Sequence, residues 1–289
     1  MDVRDAVTSA IAILACPICD DTLTVGATAA TCPNGHSFDL ARQGYLNLLR
    51  PDKRHSPEPG DSAEMLRHRR SFLQGGYYDA VAAALSDVVL ASLPDHGSIH
   101  VADLGCGEGF FLARLHAGLV ATRELPVNCI GVDISRAGIR MATTYDRRIT
   151  WLVASLHHSP FRPASLGVVI SMFAPIAPED VQRVLKPDGV LVTVTPGPDH
   201  LDALRAMIYP TVAPHAVPPA QRALAAQFDV SSATRVRYGI QLKSPAQIMS
   251  LLAMTPFYWN ISLETMARVE ALSHLEVTVD VSLIVRRRR

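Results

Sequence analysis

Val101-Ala102-Asp103-Leu104-Gly105-Cys106-Gly107-Glu108-Gly109 is the stretch on which the fold turns. A β-rich run over 99–104 leads into it and a helical pattern over 110–119 leads out. The glycines allow a tight turn and a close backbone approach to a ligand, and the following helix start supplies unpaired N–H groups. Outward from this loop, β-rich runs recur over 129–134, 150–154, 167–172 and 190–195, with helical patterns over 135–145 and 178–185 between them. Strands alternating with helices predict an α/β, doubly wound parallel sheet. Beyond residue 196 the pattern predicts a strand over 235–241, a helix over 245–253 and a strand over 276–285, seven strands in all.

The flanks of the loop select its ligand. A dinucleotide fingerprint requires Gly or Ala where Phe110 stands, and a carboxylate, Asp103, precedes the turn. That carboxylate suits an ammonium group, such as the methionine end of S-adenosylmethionine, better than a pyrophosphate. The second strand ends at Asp133, placed to accept ribose hydroxyls, and the third at Ser155, where an adenine edge would lie. Three strand ends in register favour S-adenosylmethionine, bound by Asp103, Gly105, Gly107, Asp133 and Ser155, over a nicotinamide or flavin fold or glycines that serve only turns. Cys106 and Cys129 read as packing residues.

The N-terminal region has a different texture. Cys16-Pro17-Ile18-Cys19, twelve further residues, then Cys32-Pro33-Asn34-Gly35-His36 give two close ligand pairs. Three thiolates and an imidazole fill a tetrahedral Zn²⁺ and leave no position for water, so the metal is expected to be structural. Ile13-Leu14-Ala15-Cys16 imitates a lipoprotein cleavage box, but Asp2 and Asp5 flank Arg4 where a leader needs net positive charge. No apolar run is long enough to span a bilayer. A cytoplasmic protein with no membrane partner is the expectation.

Lys plus Arg equals Asp plus Glu at 27 each, so global charge gives no support to nucleic-acid binding and local patches must carry it. Residues 42–70 contain such a patch: Arg42, Arg50, Lys53, Arg54, Arg67, Arg69 and Arg70 against Asp52, Glu58, Asp61 and Glu64. A helix capped by Asp61 or Ser62 is predicted to reach Gln74, with Arg67 and Arg70 on one face. The expected organisation is a zinc-binding module over 1–50, which the resemblance described next makes an RNA-recognition module, a linker and basic helix over 51–76, and a methyltransferase domain over 77–289. His55 and His68 read as surface residues.

With these motifs placed, the chain resembles the 23S ribosomal RNA (guanine-N1)-methyltransferases, a group that includes macrolide-resistance enzymes. Beyond the two motifs, the resemblance rests on Gly44-Tyr45-Leu46-Asn47-Leu48-Leu49, Pro59-Gly60-Asp61-Ser62-Ala63-Glu64-Met65, Arg69-Arg70-Ser71-Phe72-Leu73, Thr195-Pro196-Gly197-Pro198-Asp199-His200-Leu201 and Met254-Thr255-Pro256-Phe257. It implies a Rossmann-like methyltransferase fold, zinc on Cys16, Cys19, Cys32 and His36, and cofactor contacts from Gly107, Glu108, Tyr78 and His200. It also implies 23S ribosomal RNA as partner, RNA contacts from Arg67, Arg69 and Arg70, and a homodimer. His68, and the loop Phe173-Ala174-Pro175-Ile176 after its proline, depart from the family pattern and are candidates for substrate contact. For the proton that guanine N1 must lose, Asp61, Glu64, His157 and His158 are candidates that spacing does not separate. The competing expectation is a methyltransferase acting on another RNA or a small molecule.

Overall fold

In the computed structural model, which describes residues 3–50, 59–94, 99–122, 126–209 and 219–289, the chain opens with helix α1 (Val3–Ile11). Its Ala6, Val7 and Ala10 are buried, and the Ala6 carbonyl accepts a hydrogen bond from the Thr150 hydroxyl at 2.7 Å. The segment before the Ile13-Leu14-Ala15-Cys16 box is therefore a helix folded onto the body of the protein. Three short antiparallel strands follow: β1 (Thr24–Val25), β2 (Ala29–Thr31) and β3 (Ser37–Asp39). They form a ribbon around Cys16, Cys19, Cys32 and His36.

Next comes β4 (Tyr45–Asn47), then α2 (Ala63–Gln74), with Ser62 capping it by accepting the Met65 amide at 3.2 Å. Lys53, Arg54 and His55, with Asp52 and Glu58, lie outside the described residues. The remaining elements are α3 (Asp79–Leu90), β5 (Ile99–Leu104), α4 (Phe110–Thr122), β6 (Val127–Asp133), α5 (Arg136–Ala142), β7 (Thr150–Val153), β8 (Leu166–Met172), α6 (Pro178–Val184) and β9 (Leu185–Pro196). After them run α7 (Asp202–Ile208), α8 (Pro219–Gln227), β10 (Phe228–Leu242), α9 (Pro245–Ala253), α10 (Leu263–Glu270) and β11 (Leu275–Arg288). No helix among the described residues is long and apolar enough to cross a membrane.

The main sheet has the order β10-β11-β9-β8-β5-β6-β7-β4, parallel except for β11, which runs antiparallel between β9 and β10. Side chains alternate across it, so each strand feeds two cores. Val101, Cys129, Trp151 and Ile170 are buried on one face with α2 to α5, α7 and α9; Ala102, Ile130, Leu152 and Val169 are buried on the other with α1 and α6.

The sheet has eight strands where seven are expected. The eighth is β4, from the N-terminal region, which pairs in parallel with the free edge of β7, Leu46 opposite Leu152. The run Tyr45-Leu46-Asn47-Leu48-Leu49 alternates as a sheet strand should: Tyr45 and Leu49 join one core, Leu46 and Leu48 the other. The region before residue 50 thus divides its loyalty, with α1 and β4 built into the sheet and only the ribbon outside it.

Candidate cofactor cleft and metal centre

The metal ligands come from two turns. Gly35, at φ +82°, bends the second turn so that His36 faces back toward Cys32. His36 Nδ1 lies 3.5 Å from Cys16 Sγ, 3.4 Å from Cys19 Sγ and 3.3 Å from Cys32 Sγ, and the Cys19 and Cys32 sulfurs are 3.8 Å apart. A tetrahedral zinc ion with bonds of about 2.3 Å to sulfur and about 2.0–2.1 Å to nitrogen sets S···N edges near ~3.5 Å and S···S edges near ~3.8 Å. The four donors therefore fit Zn²⁺ and leave no coordination position for substrate. The Asn34 amide donates to Cys19 Sγ at 3.3 Å, and this with the Asp21 backbone holds the Cys19 thiol down at about 6. It is the kind of outer contact that orients a thiolate ligand.

The ribbon sits against the sheet domain. Leu14 bridges Phe161, the Ala15 amide donates to the Pro160 carbonyl at 2.9 Å, and His158 Nε2 lies 3.4 Å from Asp20 Oδ1. The segment that carries Ser155, His157 and His158 is thus the ribbon's docking surface. His157 and His158 are exposed on it, and Ser155 is half-buried at the tip of β7.

The cofactor cleft lies at the C-terminal ends of β5, β6 and β7. Gly105 turns there at φ +89°, and a Cβ on it would collide with Ala174, so the loop lies flat against the segment after β8. Asp133 at the tip of β6 holds the loop: its Oδ2 accepts the Gly107 amide at 2.9 Å and its Oδ1 the Ser135 amide at 2.7 Å. Burial raises the Asp133 pKa, and those two amides pull against the rise.

Asp103 is 3% exposed, and its Oδ1 has no hydrogen-bond partner among the described residues. Burial, reinforced by the charge of Asp133, pushes its carboxyl up to about 7. An unpartnered buried carboxylate is costly unless a cation meets it. The ammonium of S-adenosylmethionine is such a cation, so the cleft fits the cofactor the sequence points to.

Tyr78, just before α3, and His200, between β9 and α7, meet in the interior, with Tyr78 Oη 3.2 Å from His200 Nε2. The Asp280 amide donates to His200 Nδ1 at 3.2 Å. With Nδ1 accepting, the proton of the neutral ring sits on Nε2 and is donated to Tyr78 Oη. Burial holds the Tyr78 phenol well above its ordinary range, so it remains neutral.

Helix α2 brings the basic residues close to the cleft, and two of them turn inward. Arg70 does not face solvent beside Arg67. Its guanidinium lies 4.6 Å over the Tyr145 ring, donates to the Met141 carbonyl at 2.7 Å and to Thr144 Oγ1 at 3.1 Å, and meets Glu108 Oε2 at 3.4 Å. A cation at the carbonyl end of α5 and beside a buried carboxylate is drawn inward by both. Arg69 pairs with Asp61 at 2.6 Å and donates to the Met254 carbonyl at 3.4 Å, and its Nη1 stands 3.1 Å from where a Gly107 Cβ would be. It leans over the cofactor loop. Arg67 is exposed.

Glu108, expected to contact the cofactor, has a side chain only 1% exposed and gripped by Arg70. Burial raises its pKa, and the Arg70 charge opposes the rise. The pair ties the loop to α2. Of the four candidate proton acceptors, Asp61 is tied to the cofactor loop through Arg69, Glu64 is exposed on α2, His157 is exposed on the segment after β7, and His158 meets Asp20 of the ribbon. Two features escape the sequence reading: the inward turn of Arg69, and the exposed Phe173 at the end of β8. The loop departs from the family pattern only after Pro175, so that departure marks the neighbourhood of Phe173 and not Phe173 itself.

Comparison with known proteins matches residues 14–57 to a zinc-ribbon family described as RlmA, N-terminal, and residues 101–189 to a methyltransferase domain family. A Bacillus subtilis protein provisionally named 23S rRNA (guanine-N(1)-)-methyltransferase is 30% identical over 93% of this chain and 95% of its own length. A Micromonospora griseorubida protein with the same provisional name is 32% identical over 93% of this chain and 95% of its own. The Streptomyces fradiae 23S rRNA (guanine(748)-N(1))-methyltransferase is 30% identical over 94% of this chain and 95% of its own.

Proposed function

The chain belongs to the 23S ribosomal RNA (guanine-N1)-methyltransferase family, and from that membership we propose that it transfers a methyl group from S-adenosylmethionine to N1 of a guanine in 23S ribosomal RNA. The observation that carries the proposal is the docking of the zinc ribbon on the segment after β7, at the rim of the cofactor cleft. An RNA gripped by the ribbon reaches the cleft without leaving the protein surface.

When bound, the cofactor would supply an activated methyl group, whose carbon bonds to an in-line lone pair as its bond to the sulfonium breaks and leaves a neutral thioether. Asp103 would accept hydrogen bonds from its ammonium, Asp133 from the ribose hydroxyls, and Ser155 would border the adenine. Tyr78 and His200 form the buried wall opposite. Arg69 leans over Gly107 and narrows the cleft from the α2 side. Guanine N1 carries a proton that must leave, and of the four candidate acceptors Asp61, fixed by Arg69, stands nearest the loop and takes it.

The ribbon, the linker and α2 form the RNA-recognition side, with Arg67 contributing an electrostatic contact, and the region from α3 onward forms the catalytic domain. Ribosomal RNA as substrate leads us to propose a cytoplasmic site of action. A homodimer and macrolide resistance follow from the family in the same way; sedimentation and growth at graded macrolide concentrations test them.

Primer extension on 23S ribosomal RNA, from cells with and without the intact gene, tests the central reaction. N1-methylguanine blocks pairing and halts reverse transcriptase, so a gene-dependent stop one nucleotide before a guanine is expected. An unchanged pattern, with methyl transfer to a small molecule instead, would overturn the proposal.

A further inference from the structure

The chain leaves β5 outward to β6 and β7, then returns to β8 on the other side of β5. The crevice between the C-terminal ends of β5 and β8 is therefore the topological switch point, where ligands of open α/β sheets bind. One wall of that crevice is the cofactor loop. The other is Phe173-Ala174, close enough that a Cβ on Gly105 would strike Ala174.

Phe173 is unusual in three independent ways. Its ring is 44% exposed, although a phenylalanine gains stability by burial. Its φ of +52° lies in the left-handed region that side-chain-bearing residues rarely adopt, a strain that concentrates at functional positions. It is also braced. Its amide donates to the Val194 carbonyl at 3.0 Å, and its ring stacks on His200 with centroids 5.8 Å apart and planes 23° apart. His200 is itself pinned by Asp280 and Tyr78. The fold thus spends strain to hold a rigid aromatic face open at the mouth of the cleft.

We propose that Phe173 is the platform on which the target guanine stacks once it is turned out of the RNA. The inference rests on the reading of an RNA guanine as substrate. N1 lies on the Watson–Crick edge and is shielded in a paired or stacked base, so the base must be exposed before it can meet the methyl group. A purine stacked on the ring next to the β5 loop replaces the stacking it loses in the RNA and is held in plane beside the donor. His200 and Tyr78 then act as positioning residues that fix the angle of the platform.

The test uses the full-length protein, its zinc retained, with 23S ribosomal RNA transcribed in vitro and radiolabelled S-adenosylmethionine. Base–aromatic stacking predicts that Phe173→Ala and Phe173→Leu lower kcat/KM for the RNA about 10- to 100-fold, while Phe173→Tyr and Phe173→Trp keep most of it. Cofactor binding by calorimetry is expected to stay within about twofold in all four. If Phe173→Leu matches the wild type, bulk rather than an aromatic face is what matters and the proposal fails. It fails equally if Phe173→Ala loses cofactor affinity in proportion to activity. A wild-type enzyme that leaves the transcript unmethylated overturns the RNA reading, and the platform with it, which is a result separate from any difference among the variants.

Discussion

The ribbon and the sheet lie against each other but are held by different forces. The ribbon's three strands are two, three and three residues long, and its buried apolar side chains are few, Leu23, Ala30 and Phe38 among them. A segment of that size cannot offset its conformational entropy by apolar burial alone. The sheet instead buries both faces of every central strand under helices. One part depends on a metal and the other on its core. The chemistry divides the same way, because the metal centre is closed to substrate while the cleft is lined by a buried carboxylate awaiting a cation.

The largest effect is expected at the metal. Structural zinc contributes on the order of 10 kcal/mol to the folding of such modules. Cys32→Ser should therefore release the metal, expose residues 16–40 to proteolysis and abolish methyl transfer to the RNA, with the sheet still melting cooperatively. Metal analysis and limited digestion read this out; a ribbon that resists protease without zinc would break the contrast.

A matching insult to the other region is Gly109→Ala. Gly109 sits at φ +89°, and its Cβ would stand 2.7 Å from the Ala142 Cβ and 2.8 Å from the Trp151 ring. Strain plus overpacking should cost about 3 kcal/mol, roughly 6–12 °C in melting temperature, while zinc content stays unchanged.

Asp103→Asn separates binding from stability. Loss of a charge-assisted hydrogen bond should weaken S-adenosylmethionine binding about 10- to 100-fold. The cofactor-free protein should instead become more stable near pH 8. The reason is the sign of the shift: the folded-state carboxyl titrates at about 7 against an ordinary 3.8. Its contribution to stability is fully present below the unfolded value and is lost as pH rises through about 7. Cofactor affinity runs the other way, since the ammonium favours the ionised carboxylate, and should rise between about pH 5.5 and 7.5 in the wild type and stay flat in the variant. Calorimetry and thermal melts across that window check both halves.

The smallest effect is expected at Arg67. An exposed phosphate contact should change RNA affinity about two- to fivefold on Arg67→Ala and reduce the salt slope by about one. Arg70→Ala should act on cofactor binding instead, because it releases Glu108. Equal salt slopes for the two variants would contradict the inward placement of Arg70.

How far the sequence could be read follows from the same physics. The central strands were legible because double burial leaves continuous apolar runs, and the metal ligands because coordination dictates spacing. β4 was hidden: Tyr45-Leu46-Asn47 is short and sits beside the ribbon, although the alternation of Tyr45, Leu46, Leu48 and Leu49 between two cores was its signal. Helix α1 was obscured by its likeness to a leader, since Ala6, Val7 and Ala10 are apolar for packing against the sheet. The position of Arg69 and Arg70 on a basic helix was readable, but their direction was not. It is set by the α5 carbonyls, by Glu108 and by Asp61, all brought near only by the fold. Phe173 illustrates the limit from the other side, because neither its strain nor its exposure leaves a trace in composition.

The central claim is that the ribbon selects the RNA and the sheet holds the methyl donor. Removing zinc from the intact protein with a chelator, then measuring S-adenosylmethionine binding and methyl transfer to 23S ribosomal RNA on the same sample, tests it most directly. Cofactor binding is expected to be retained, RNA methylation to be lost, and methylation to be restored when zinc is returned. RNA methylation that persists without zinc, or cofactor binding that disappears with it, would contradict the account.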